Sequence, residues 1–118
     1  MLSWTYRNYA TSIKKDVEFG VMKRGYTLIE AIGFAHSELE LRIEALPEEA
    51  PMALIALAAC ALREGVFGVF ERDELFLSDL RGVVVIESVE NIIKTLPSDE
   101  VGGFREDFEV VARALNKL

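Results

Sequence analysis

Met52-Ala53-Leu54-Ile55-Ala56-Leu57-Ala58-Ala59-Cys60-Ala61-Leu62 is an uninterrupted apolar run, and how it is read decides the fold. At a rise of about 1.5 Å per residue the run spans only ~16 Å, half the ~30 Å that a membrane helix must cross. It is therefore expected as the buried central helix of a globular domain. A strand is disfavoured because Ala and Leu dominate, and Ala is the best helix former and a poor strand residue. The alanines let neighbouring helices approach closely while Leu54, Ile55, Leu57 and Leu62 fill the remaining space, each worth roughly 1.5–3 kcal/mol when buried.

Upstream of this run, Pro47 and Pro51 bracket Glu48-Glu49-Ala50, so one helix is expected to stop near Leu46 and the central one to begin near Pro51. The helix before Leu46 opens on Thr27-Leu28-Ile29-Glu30, a capping box in which hydroxyl and carboxylate satisfy free backbone donors. Its buried stripe is Leu28, Ile32, Ala35, Leu39 and Ile43. A first helix carries Tyr6, Ala10, Ile13, Val17 and Val21 at helical spacing, with Tyr9 and Phe19 flanking the stripe and Ser3 expected as its N-cap. Lys23 and Arg24 suit its C-terminal dipole, and Gly25 can adopt the left-handed conformation that ends it. The two helices, joined at Gly25-Tyr26, are expected to pack as an antiparallel hairpin.

Downstream, Val66 to Phe70 reads as a connector, either a short extended piece or a bent continuation, because Gly65 and Gly68 weaken a helix while the aromatics and valines suit a strand. Asp73 to Leu80 reads as a short helix with Leu75, Phe76 and Leu80 inward. Val83 to Ile86 is β-branched, yet Val85, Val89, Ile92 and Leu96 continue at helical spacing, so this segment is expected to be helical up to Leu96-Pro97. Gly102-Gly103 reads as a loose turn before a last helix with Phe104, Phe108, Val111, Leu115 and Leu118 on one face. Glu106 and Asp107 are then its first turn and Lys117 its last. The fold expected is one all-α domain over residues 1–118, an irregular bundle of five or six helices around the central one.

The chain has 118 residues with a net charge of -7, 51% hydrophobic and 28% charged, a globular composition. Charge is uneven. Residues 1–26 carry Arg7, Lys14, Lys15, Lys23 and Arg24 against Asp16 and Glu18, whereas the rest carries eight bases against eighteen acids, a balance of -10. Such a surface repels nucleic acid and steers basic partners, and it also serves solubility. The sole cysteine, Cys60, lies within the apolar run and is expected to be a buried, inert thiol in a reducing cytoplasm. Neither a signal peptide nor a membrane span is expected, because polar residues interrupt the N-terminal segment.

No constellation suits catalysis or a cofactor. His36, the only histidine, stands one and two turns before Glu40 and Glu44, but no second histidine is available to complete a metal site, so a solvated helix face with a weak His-Glu pair is expected. No serine sits in a nucleophile elbow, and the glycines match no phosphate-binding loop. The acidic clusters are more informative. Glu38, Glu40, Glu44, Glu48 and Glu49 run along and beyond the second helix, while Glu71, Asp73, Glu74 and Asp79 gather after the central one. Brought together by folding, they make a negative face for a protein partner.

Trp4-Thr5-Tyr6 opening a helix, then Met22-Lys23-Arg24-Gly25-Tyr26-Thr27-Leu28-Ile29-Glu30-Ala31-Ile32, then the Ala/Leu-rich helix, resembles small helical immunity proteins of bacterial polymorphic-toxin systems. The resemblance covers residues 3–65. It implies a non-enzymatic protein without cofactor or metal that binds a cognate toxin domain, often a nuclease. A nuclease site is basic because it holds phosphates, so an acidic protein complements it. Tyr6, Tyr9 and Tyr26 are candidate aromatic anchors, although core packing or capping is expected for at least two of them. The alternative is a homodimeric structural or interaction module, motivated by Val66, Phe67, Val69 and Phe70, whose apolar surface a small bundle leaves uncovered.

Overall fold

A computed structural model describes residues 4–118. The described residues form six α-helices and no strand: α1 (Tyr6–Arg24), α2 (Leu28–Ala45), α3 (Ala50–Arg63), α4 (Glu74–Val83), α5 (Ile86–Thr95) and α6 (Ser98–Asn116). Short 3-10 turns at Pro47–Glu49 and Phe67–Phe70 join α2 to α3 and α3 to α4. This is the expected all-α bundle, with α3 at its centre. Met52, Ala53, Ile55 to Ala59 and Ala61 are buried, and α3 touches every other helix. Ala53, Ala58 and Ala61 have no exposed surface, so α1, α2 and α6 pack close to the α3 backbone.

Local chemistry places the hairpin of α1 and α2. Gly25 adopts φ 69°, the left-handed conformation that ends α1, and the Tyr26 N–H donates back to the Gly20 carbonyl at 3.0 Å. Thr27 and Glu30 form the reciprocal cap of α2, with Thr27 N–H to Glu30 Oε1 at 3.0 Å and Glu30 N–H to Thr27 Oγ1 at 3.2 Å. Gly20 sits where α1 meets α2. A β-carbon there would lie 3.0 Å from the Tyr26 ring and 3.2 Å from the Ala31 methyl. Ser3, expected as the cap of α1, lies outside the described residues; Thr5 is the residue at the helix start, its N–H donating to Asn8 Oδ1 at 2.9 Å.

The C-terminal half departs from expectation in three places. Helix α4 ends at Val83, Val85 is extended at φ -130° and ψ 152°, and α5 begins at Ile86, so the Val83–Ile86 segment is not one continuous helix. Consecutive β-branched residues lose rotamer freedom in a helix and tolerate the extended conformation, and here the break lets α5 turn its own stripe, Val89 and Ile92, onto the core. Within α4 the inward residues are Phe76, Leu77 and Leu80, whereas Leu75 is 74% exposed. Finally, Gly102-Gly103 is no turn. Pro97 ends the preceding segment, Ser98, Asp99 and Glu100 supply the start of α6, and both glycines are helical. Glu106 and Asp107 consequently lie in mid-helix, and Leu118, expected on the buried face, is half-exposed.

Candidate protein-binding face

The connector after α3 is the first part of the site. Phe67 and Phe70 turn inward, so most of the apolar surface that suggested a dimer is covered within the monomer and Val69 alone of the four is exposed. Phe70 stacks on Phe76 of α4 with ring centroids 4.0 Å apart. The imidazole of His36 meets both rings edge-on, at 5.9 Å and 5.3 Å. His36 is therefore packed in an aromatic knot joining α2 to α4, with a side-chain exposure of only 22%, and is not the solvated residue its helical position suggested. Its Nε2 pairs with Glu40 Oε1 at 3.2 Å. Among the described residues no group of three or more histidines, cysteines or carboxylates is arranged to hold a metal ion.

This knot sets the spacing of α2 and α4 and opens a cleft of about 590 Å³ beside it. Ile43, Leu54, Phe76 and Val83 give the cleft an apolar floor, Leu75 stands at its lip, and Glu40, Asp73 and Asp79 supply carboxylates. The two acidic clusters of the sequence thus meet, through these three residues. Among the described residues no lysine or arginine lines the cleft. Asp73 has a structural duty as well, since its Oδ1 accepts the Phe76 N–H at 3.0 Å and caps α4. Glu38, Glu44, Glu48, Glu71 and Glu74 are exposed but do not line the cleft.

Glu49 belongs to a different structure. It is 5% exposed, accepts from the Tyr9 hydroxyl, from Arg42 Nη2 at 3.3 Å and from the Trp4 N–H at 3.2 Å, and so has no place on an outer acidic face. Arg42 completes the cluster by donating to the Tyr9 oxygen at 3.1 Å and lying over the Trp4 ring, 3.6 Å from its centroid. Burial, and then the hydrogen bond to Glu49, pushes the Tyr9 hydroxyl up to about 12, so it remains a donor at neutral pH.

A second buried carboxylate, Asp107, accepts from the Tyr6 hydroxyl and from Arg63, tying α1 and α3 to α6. Burial first, and the facing Asp107 charge second, raise Tyr6 far above the ordinary tyrosine range. Glu100 likewise accepts the Arg7 N–H at 2.8 Å. Tyr6 and Tyr9 are thereby core residues, and only Tyr26 of the three candidate aromatic anchors retains partial exposure. These inward carboxylates leave little trace in local sequence pattern, because apart from Arg42, seven residues before Glu49, their partners lie 40 to 101 residues away.

Cys60 is half-buried at the back of α3, and burial, followed by the Glu64 charge, pushes its thiol up and away from thiolate reactivity. Among the described residues no helix is long and apolar enough to cross a membrane. No family model, curated protein or solved structure matches this chain.

Proposed function

We propose that this chain is an immunity-type protein that acts in the bacterial cytoplasm by binding a basic toxin domain and covering its active site with the face formed by α2 and α4. The observation that carries the reading is the convergence of Glu40, Asp73 and Asp79 on one cleft with an apolar floor and, among the described residues, no lining lysine or arginine. A protein interface needs both elements, apolar anchors for affinity and charge for approach and register. Glu38, Glu44, Glu48, Glu71 and Glu74 are exposed outside the cleft and contribute to the net charge of -7 that favours a basic partner. Binding, not catalysis, is what these groups suit: the buried tyrosine–carboxylate pairs hold helices together, and the exposed carboxylates surround no nucleophile. The sequence resemblance over residues 3–65 supports the same reading.

Growth rescue tests it. A toxin-like C-terminal domain encoded by the neighbouring upstream reading frame is induced with and without this chain. Rescue that requires the intact chain is expected; continued growth arrest despite soluble, folded chain contradicts neutralisation.

A further inference from the structure

The cleft between α2 and α4 asks for an occupant of particular chemistry. Another acidic recess of the molecule is internally neutralised. The recess between α1 and α6, about 370 Å³ in volume, places Asp99 and Asp107 beside Arg7 and Arg63, with Arg7 Nη1 3.1 Å from Asp99 Oδ2. In the α2–α4 cleft no lysine or arginine among the described residues plays that part. Among the described residues the Asp79 carboxylate makes no hydrogen bond or ion pair, and that of Glu40 is met by His36 alone. At the lip Leu75 exposes 74% of its surface, although it sits one residue from the buried Phe76.

An occupant that covers this site must therefore bring apolar surface for Ile43, Leu54, Val83 and Leu75, and positive charge for Glu40 and Asp79. An anionic ligand meets three carboxylates, and a purely apolar one strips their water without compensation. A basic side chain with a long aliphatic stem meets both demands at once, laying its methylenes on the floor and its charge at the rim. Arginine suits best, because its planar guanidinium is weakly hydrated and offers five donors to carboxylates.

We propose that the α2–α4 cleft receives a basic amphipathic segment of the partner, with an arginine laid across the apolar floor toward Asp79 and Glu40 and an apolar neighbour packed against Leu75. The partner's identity as a toxin rests on the function proposed above; the chemistry of the cleft is tested without it. The mode is that of a helix docked in a groove, in which apolar anchors carry affinity and flanking charges set orientation.

The test is a nuclear magnetic resonance titration of the ¹⁵N-labelled full chain with a short helical peptide of alternating Arg and Leu faces. Expected are amide shifts centred on Ile43, Leu54, Phe76, Asp79 and Val83, and a loss of about tenfold in affinity for the Glu40→Gln/Asp79→Asn double variant, whose unperturbed spectrum elsewhere certifies its fold. The Arg→Glu peptide is expected not to bind, and the Leu→Ser peptide to bind much more weakly. Shifts centred on other carboxylates, an unaffected double variant, or binding of spermine as tight as that of the peptide would each overturn the proposal, the last in favour of a small cation. The growth assay separates the two claims. A chain that rescues growth while showing none of these shifts overturns the cleft as docking site and leaves neutralisation standing; one that shows the shifts but does not rescue overturns neutralisation alone.

Discussion

At the residue scale, the molecule spends its buried carboxylates on holding helices together. Glu49 gathers Trp4, Tyr9 and Arg42 from α2 and the N-terminal end of α1 around one side chain that is 5% exposed. Glu49→Ala removes the shared acceptor, leaving the buried Tyr9 hydroxyl without the carboxylate it donates to and breaking the ion pair with Arg42, a loss expected at about 3–5 kcal/mol. Urea unfolding checks it, and a change below ~1 kcal/mol would mean that water replaces the carboxylate at no cost. The two tyrosines give the same clusters a signature at alkaline pH. Their folded-state values are raised while the unfolded chain titrates near 10, so above that pH the unfolded state binds fewer protons than the native one and stability falls. The contribution of Tyr9 is complete below pH ~10 and is lost on the way to about 12, with a slope of up to ~1.4 kcal/mol per pH unit for each tyrosine. Denaturant midpoints across pH 8 to 12 are expected to fall from about 10 upward in the native chain, and less steeply in Tyr9→Phe.

At the element scale, helices whose ends and stripes are written locally were legible in sequence, and those set by long-range packing were not. Gly25, the Thr27–Glu30 box, the Pro47 and Pro51 boundaries and the apolar α3 are all local devices, and each appears where the sequence puts it. Leu75 and Leu77 stand two residues apart, roughly 200° around the helix, and only the position of α4 against α3 decides which of them is buried. Gly102 and Gly103 misled because glycine ordinarily marks a turn, while the helix signal at Ser98, Asp99 and Glu100 lies before them. Their helical setting has a measurable consequence. A methyl added at either position meets nothing within 4 Å, so Gly102→Ala and Gly103→Ala should each stabilise α6 by about 0.5–1 kcal/mol. Gly20→Ala, facing Tyr26 at 3.0 Å, should destabilise instead. Thermal melts of the three variants decide this, and the same sign for all three would contradict the assignment. Central helix α3 offers the severer test: Leu57 has no exposed surface, so Leu57→Asp is expected to abolish the cooperative transition, and an unchanged melt would place α3 at the surface.

At the scale of the whole molecule, a radius of gyration of 13.5 Å matches the value of about 13.5 Å expected for a compact chain of this length. Folding divides the acidic residues into two populations that composition cannot separate. Glu49, Glu100 and Asp107 turn inward to meet α1, whereas Glu40, Asp73 and Asp79 meet at the α2–α4 cleft under a net charge of -7. The candidate face was thus partly legible: both clusters were visible, but not their meeting at His36, since that depends on Phe70 and Phe76 closing the knot from elements far along the chain. Asp73 caps α4, so a charge-reversal experiment is cleaner with Glu40, Glu44, Glu74 and Asp79. The most direct measurement is the stopped-flow association rate of this chain with the proposed partner, the basic toxin-like domain sought in the neighbouring upstream reading frame, recorded against salt concentration. With the native chain the rate should be high at low salt and fall as salt screens the fields, while the Glu40→Lys/Glu44→Lys/Glu74→Lys/Asp79→Lys variant should associate at least ~10-fold more slowly at low salt and converge with it at high salt. Equal rates for the two chains at low salt would contradict an acidic α2–α4 face as the means of recognition.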